Sequence, residues 1–119
     1  GLDLKRLAAE VRRRGVADPT VAYFGGDDVG FRMGVRDFLE QPAVRGRLVA
    51  VSAFYLAEGP QFLRYQGTRE SAAALEKLLT EIGARGRPAG RIGYSIELFD
   101  LPPPGDSASP GGGIVNNGR

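Results

Sequence analysis

Residues 47–56, RLVAVSAFYL, form an almost continuous apolar run, and this run limits the folds that the chain can adopt. A strand with one face in water alternates apolar and polar residues, whereas a run of this kind needs cover on both faces of its sheet. Sheets covered in this way are typical of α/β proteins. The run therefore predicts a strand in a sheet that has helices on both faces.

Two amphipathic helices are predicted from apolar residues at helical spacing. The first covers residues 4–11 and stops at Gly15. The second opens at Thr68, carries its apolar stripe over residues 72–82 and stops at Gly83. Both are expected to bury one side against the sheet.

Two further strands are predicted on either side of these helices. Residues 20–24 form a short apolar run ended by two glycines, and we expect it to be a central strand. Residues 91–101 are rich in β-branched and aromatic residues, and three prolines follow them. This segment is expected to be a single, buried, final strand.

The connections are less regular. Residues 29–40 are compatible with a short helix ended by Pro42, residues 58–67 with a loop or one helical turn, and residues 84–90 with a linker. The order of elements predicts an α/β fold, a small three-layer sandwich with a mostly parallel sheet of three or more strands and helices on both faces. Residues 1–101 form this compact domain, and residues 102–119 are expected to be a flexible Pro/Gly/Ser-rich tail.

The absence of histidine and cysteine from the 119 residues excludes several classes of chemistry. A Ser-His-Asp triad, a histidine base, a thiolate nucleophile and a histidine or cysteine metal site are all ruled out. No catalytic residue, metal or cofactor is therefore predicted. The net charge of +2 gives no reason to expect nucleic acid as a partner. The basic cluster at residues 12–14 fits a helix C-terminus, with contact to anionic lipid headgroups as the alternative.

The best candidate for a ligand site is the segment Gly25, Gly26, Asp27 and Asp28. It follows a predicted strand, and α/β sheets place ligands at the carboxyl ends of their strands. Two adjacent carboxylates could accept hydrogen bonds from sugar hydroxyls, but they fall short of the six to eight oxygens of a calcium site. The alternative is a polar turn that leaves the sheet.

Three other groups of residues are weaker candidates. A platform for stacking sugar rings could come from aromatic residues, although Tyr94 is expected in the core. The platform residues are Tyr23, Tyr55, Tyr65, Tyr94, Phe54 and Phe62. A phosphate site is the second candidate, at Gly83, Gly86, Gly90, Arg85, Arg87 and Arg91, where a linker is favoured. Glycosidase acids are the third, at Glu58, Glu70, Glu76 and Glu81, where a solvated helix face is favoured.

Three short motifs occur in order along the chain: G-x-D-L-x-x-L at residues 1–7, a hydrophobic-x-Y-F-G block at residues 21–25 that is followed by Asp27, and I-G-Y-S-I at residues 92–96. With them, the chain resembles the soluble C-terminal domain that follows the last transmembrane helix of bacterial polytopic membrane glycosyltransferases. These enzymes are similar to dolichyl-phosphate-mannose protein mannosyltransferases and lipid A aminoarabinose transferases. Residues 28–34 and 54–67 depart from the family pattern.

The resemblance implies an accessory domain of an enzyme that uses polyprenyl-phosphate sugars. The domain would lie on the extracytoplasmic, periplasmic face of the inner membrane, with membrane helices encoded upstream of Gly1. It would be non-catalytic, and its partners would be the membrane domain of the same polypeptide and a glycan or lipid-linked acceptor. The alternative is a free-standing α/β module that binds a ligand or a protein. An enzyme relying on Asp27, Asp28 or tyrosines is the third possibility.

Overall fold

The structure is a computed structural model that describes residues 2–105, and it has an α/β fold with four helices and four strands in that range. The helices are α1 (Leu2–Arg13), α2 (Val29–Met33), α3 (Ala53–Tyr65) and α4 (Arg69–Arg85). The strands are β1 (Thr20–Ala22), β2 (Leu48–Ser52), β3 (Arg87–Ile92) and β4 (Ile96–Asp100). Of the tail predicted for residues 102–119, residues 106–119 lie outside the described part.

The four strands form one mixed sheet in the order β1-β2-β4-β3. Only β1 and β2 pair in parallel, while β4 is antiparallel to both β2 and β3. The prediction of a mostly parallel sheet is therefore wrong, because a final hairpin inserts β4 between β2 and β3. The expectation that β1 is central is also wrong, since it lies at one edge of the sheet.

Strand β2 contributes to two separate core clusters because successive residues of a strand point to opposite faces. Val49 and Val51 lie in a cluster with buried residues of α3 and α4, such as Leu75. Leu48 and Ala50 lie in the other cluster, with α1 and α2. All five residues of β2 are buried, as the apolar run predicts.

Helix α3 begins inside the predicted strand and takes up the predicted loop. The strand ends at Ser52, and the helix continues through Pro60, which removes a backbone N–H and costs about 3 kcal/mol in a helix interior. Burial of Tyr55 and Leu63 in the core with α4 residues offsets this cost. Tertiary packing thus overrides the local preference of the Gly59-Pro60 pair.

The predicted final strand at residues 91–101 is in fact a hairpin whose turn is formed by residues 93–95. Gly93 has a φ of 56°, a conformation that favours glycine. Tyr94, expected in the core, lies on this turn and is 91% exposed. The linker predicted at residues 84–90 is wrong, because it covers the end of α4 and most of β3.

The ends of the remaining helices also differ from expectation in part. Helix α1 is followed by Gly15 with a φ of 70°, as predicted. Helix α2 is only five residues long, because Gly34 adopts a left-handed conformation at its C-terminus. Helix α4 continues through Gly83, and Gly86 is its C-terminal cap.

Candidate functional site

A cleft of about 360 Å³ opens beside the loop that follows β1. The four residues predicted as a binding site, Gly25, Gly26, Asp27 and Asp28, all line it. Its other walls are formed by Tyr23, Val29, Gly30, Asp37, Leu39, Glu40 and Tyr55. The β1 loop and Tyr55 meet here because β1 and β2 are parallel, so their carboxyl ends lie at the same edge of the sheet.

Asp27 and Asp28 both have structural partners in α2. The Asp27 carboxylate forms an ion pair with Arg32, with 3.1 Å between Oδ2 and Nε. Asp28 caps the N-terminus of α2, where its Oδ1 accepts a hydrogen bond of 3.1 Å from the N–H of Phe31. These contacts agree with the interpretation of the segment as a polar turn that leaves the sheet.

The two glycines of the loop differ in what surrounds them. An ideal Cβ on Gly25 would lie 2.7 Å from the hydroxyl oxygen of Tyr23 and 2.8 Å from its ring, so a larger residue would require the Tyr23 side chain to shift. No described atom outside its chain neighbours lies within 4 Å of a Cβ on Gly26, which faces open space. Gly25 thus lets the half-buried Tyr23 fold over the loop.

Asp37 is a cleft residue that the sequence analysis missed. Its Oδ2 accepts a hydrogen bond of 2.9 Å from the N–H of Tyr23, and its Oδ1 accepts one of 2.8 Å from the N–H of Leu39. Burial raises the pKa of the Asp37 carboxyl, although these two hydrogen bonds oppose the shift. A helix is predicted over residues 29–40. Because α2 ends at Met33, Asp37 lies outside the helix, and its carboxylate accepts the N–H of Tyr23 just after β1.

Tyr55 lines the same cleft from the first turn of α3 and is only 6% exposed. No hydrogen bond joins its hydroxyl to any of the residues 2–105 that the structure describes. Burial, and then the charge of Asp37, raise the pKa of Tyr55 to about 12, so its phenol stays protonated at neutral pH. The cleft is therefore lined by a buried tyrosine whose hydroxyl has no acceptor among residues 2–105.

Aromatic rings cluster where β1 and β2 end. The ring centroids of Phe24 and Phe54 are 4.4 Å apart, and Phe62 lies 5.5 Å from Phe24 and 5.0 Å from Phe54. Tyr55 packs edge-on against Phe24 at 5.7 Å and so joins the cluster to the cleft. Phe24, which the sequence analysis left out of its platform, is 44% exposed and forms the outer surface of this cluster.

The predicted stacking platform is only partly assembled. Tyr55, Phe54 and Phe62 come together with Phe24. Tyr65 and Tyr94 are each 91% exposed, one at the end of α3 and the other on the hairpin turn, and neither belongs to the cluster. The sequence pattern predicts a loop where α3 lies and a single strand where the hairpin lies, so the positions of both tyrosines differ from the prediction.

Residues of the three sequence motifs are linked by hydrogen bonds. Asp3 of the first motif accepts a hydrogen bond from the hydroxyl of Ser95 in the third. The carbonyl of Ser95 accepts one of 2.7 Å from the N–H of Ala53, at the end of β2. The preceding residue, Ser52, is buried, and its Oγ accepts a hydrogen bond of 2.7 Å from the N–H of Phe24 in the second motif.

The glycines and arginines considered for phosphate binding do not form one loop. Gly83 is inside α4, Gly86 caps it, and Gly90 is in β3. Arg85 is paired with Glu81 at 2.8 Å, and Arg91 with Glu97 at 2.9 Å. Carboxylates on the protein itself thus neutralise both guanidinium groups.

The glutamates considered as glycosidase acids lie on α3 and α4, and none of them lines the cleft. Glu76 pairs with Arg64 at 3.5 Å, which links the two helices at the surface. Glu58 and Glu70 are exposed. A solvated helix face describes Glu58, Glu70 and Glu76, whereas Glu81 is half-buried beside Arg85.

The basic cluster at residues 12–14 lies at the C-terminal end of α1, as predicted. Arg13 and Arg14 both bind the carboxylate of Glu10, at 2.5 and 2.6 Å. Their hydrogen bonds lower the pKa of Glu10 to about 2. Arg14 also donates a hydrogen bond of 2.8 Å to the carbonyl of Ala89, so it ties α1 to β3.

Within residues 2–105, no three acidic, histidine or cysteine side chains are grouped so that they could hold a metal ion. No helix in the same range is long and apolar enough to cross a membrane. Comparisons with known protein families, curated proteins and solved structures give no match.

Proposed function

We propose that this chain is the extracytoplasmic C-terminal accessory domain of a bacterial membrane glycosyltransferase that uses polyprenyl-phosphate sugar donors. The domain is non-catalytic by itself. It positions the acceptor or stabilises the membrane domain of the same polypeptide. The proposal starts from the resemblance of the three motifs to that family.

The observation that carries the proposal is the hydrogen-bonded link between the motifs. Asp3, Ser95 and Phe24 come from three distant parts of the sequence, yet each contributes to one connected set of contacts around the end of β2. Residues of a true family signature often contact one another in the fold. Chance matches to three short motifs would instead lie in unrelated parts of the structure. This supports the resemblance as one of whole domains.

In this proposal the domain is a small three-layer sandwich, with α1 and α2 on one face of the sheet and α3 and α4 on the other. Its working surface is the edge where β1 and β2 end. The cleft with Asp37 and Tyr55 and the partly exposed ring of Phe24 lie at this edge. Carboxylates beside aromatic rings are suited to a sugar, which has hydroxyl groups on its rim and apolar C–H groups on its faces.

The test is to read the source gene upstream of Gly1 and to determine the topology of the full-length product. Several apolar spans that end shortly before Gly1 are expected. A periplasm-active reporter fused after residue 119 should then be active, and a matched fusion in a cytoplasmic loop should be inactive. A start codon directly before Gly1, a soluble domain upstream, or a cytoplasmic reporter signal after residue 119 would overturn the proposal.

A second candidate function is a free-standing α/β module that binds a ligand or a protein. The observation that favours it is Tyr55, a buried residue of the cleft whose hydroxyl has no acceptor among residues 2–105, because an unsatisfied buried polar group is a place where a ligand can bind. This module would bind its ligand equally well with or without an upstream membrane domain. Comparing the affinity of residues 1–119 with that of the full-length product separates the two functions.

A further inference from the structure

The hydroxyl of Tyr55 sets the first requirement on a ligand of the cleft. Tyr55 is only 6% exposed, and no described residue accepts a hydrogen bond from its hydroxyl. Buried polar groups in folded proteins almost always have a partner. Because Tyr55 lines the cleft, an acceptor atom on a molecule bound there can satisfy its hydroxyl.

The carboxylate of Asp37 sets the opposite requirement. Each of its oxygens accepts one backbone N–H, from Tyr23 or from Leu39. A carboxylate has about four lone-pair sites, so roughly two remain for donors on a ligand. Asp37 and Tyr55 line the same cleft. A molecule that reaches both groups must therefore offer an acceptor and a donor within a short distance.

The charge of the cleft sets the third requirement. Asp28, Asp37 and Glu40 line it and have no ion-pair partner among residues 2–105, whereas Asp27 is paired with Arg32. This excess of negative charge repels phosphates and carboxylates. An ammonium group would satisfy the carboxylates, but it has no lone pair to accept the hydrogen bond of Tyr55.

We infer that the cleft binds a neutral polyhydroxyl compound, a sugar without phosphate or carboxylate groups, and that Tyr55 and Asp37 hold one of its diol units. A hydroxyl group both donates and accepts, so two neighbouring hydroxyls satisfy the phenol and the carboxylate together. This inference rests on the proposed function, and it specifies that the acceptor positioned by the domain is a neutral sugar. The charge also implies that the phosphate-bearing donor is excluded from this cleft.

The inference is tested by titrating ¹⁵N-labelled residues 1–119 with D-mannose and, separately, with inorganic phosphate and with Ca²⁺. Mannose in the millimolar range should shift the backbone resonances of Gly25, Gly26, Asp37 and Tyr55. Phosphate should leave them unchanged. Shifts at these residues with phosphate or Ca²⁺ but not with mannose would overturn the inference in favour of an ion site, and no shift with any of the three would overturn it outright.

Tyr55→Phe removes the hydroxyl and keeps the ring that packs against Phe24. We expect it to weaken mannose binding about 3- to 10-fold, the loss of one hydrogen bond, while the melting temperature stays unchanged or rises. Tyr65→Phe is the matched control, because Tyr65 is 91% exposed and lies outside the cleft. It should alter neither quantity. Equal affinity in the two variants would contradict the role of Tyr55.

The sugar titration and the topology test of the proposed function can fail independently. Apolar spans upstream of Gly1 without sugar binding would leave the accessory domain standing and overturn the inference. Sugar binding by a chain with no membrane domain upstream would support the inference and overturn the accessory-domain proposal.

Discussion

At the scale of single residues, Ser52 decides how the ends of β1 and β2 are held together. Its buried Oγ accepts the hydrogen bond of the Phe24 N–H, just where the chain leaves β1 for the cleft loop. We expect Ser52→Ala to destabilise the fold by about 1–3 kcal/mol, because the N–H of Phe24 loses its acceptor. Urea unfolding followed by circular dichroism measures this change.

Ser71→Ala is the control for that substitution. Ser71 lies in the first turn of α4, it makes no described hydrogen bond through its side chain, and alanine has the higher helix propensity. Its free energy of unfolding should stay the same or rise slightly. If both substitutions had the same effect, Ser52 would have no special part in joining the two strands.

The raised pKa of Asp37 gives a pH dependence of stability with a definite sign. Because burial raises the pKa above the usual 3.8, the folded chain binds this proton more tightly than the unfolded chain. The resulting stabilisation is complete below the unfolded pKa and is lost as pH rises through the folded pKa. Asp37→Asn lacks this contribution, so the stability of the wild type relative to the variant should fall as pH rises above the ordinary pKa of 3.8.

Urea unfolding of both proteins at several pH values measures that difference. Other carboxylates, including Glu10, whose pKa is lowered to about 2, are common to both proteins, and their effects cancel. A difference that is constant with pH, or that grows as pH rises, would show that Asp37 is not shifted upwards.

At the scale of elements, the contact between α3 and α4 depends on Gly59. A methyl group at this position would lie 2.5 Å from Cδ2 of the fully buried Leu75 and 3.1 Å from the ring of Tyr55. Overpacking of this kind costs about 1–3 kcal/mol, while alanine gains about 1 kcal/mol in helix propensity. Gly59→Ala should therefore destabilise the protein in thermal or urea unfolding.

Gly83→Ala provides the matched comparison in the second helix. Gly83 is exposed in α4, and a methyl group there meets no atom within 4 Å beyond its own helix turn and neighbours. This substitution should stabilise the protein by about 1 kcal/mol. Stabilisation by both substitutions would mean that the two helices are not packed closely at Gly59.

The hairpin shows why some elements could not be read from sequence. Ile92 and Ile96 are direct partners across β3 and β4, so their side chains point to the same face. In one uninterrupted strand, residues four apart also point to the same face. A three-residue turn therefore leaves the alternating pattern intact, and the pattern alone cannot separate a hairpin from a single strand.

Elements with a clear sequence pattern were predictable, as the helical spacing of α1 and the continuous apolar run of β2 show. The start of α3 was not, because residues 53–56 are as apolar as the strand before them and Ser52 forms no side-chain cap. In the cleft, the loop from Gly25 to Asp28 could be found from its place after a strand. Asp37 and Tyr55 could not, since tertiary pairing alone brings them to that loop.

At the scale of the whole molecule, the sheet makes the two core clusters depend on each other. Leu7 belongs to the cluster with α1, and Leu75 belongs to the cluster with α4, but β2 contributes residues to both. Leu7→Ala should lower the free energy of unfolding by about 2–5 kcal/mol. Because a shared strand makes unfolding cooperative, amide hydrogen exchange in α4 should accelerate by the same free energy. Unchanged protection of α4 would mean that the two clusters unfold separately.

The outer edges of the sheet have a consequence for the behaviour of this protein at high concentration. On β1, the Val21 carbonyl accepts the N–H of Phe38 at 2.7 Å and the Tyr23 N–H is bound by Asp37. On β3, Pro88 has no N–H, and pairing with β4 is irregular between Pro88 and Gly90. Free backbone groups on a regular edge are what another chain needs to extend a sheet into an aggregate. This protein should therefore resist edge-to-edge aggregation, and its contacts with other proteins should be made by side chains.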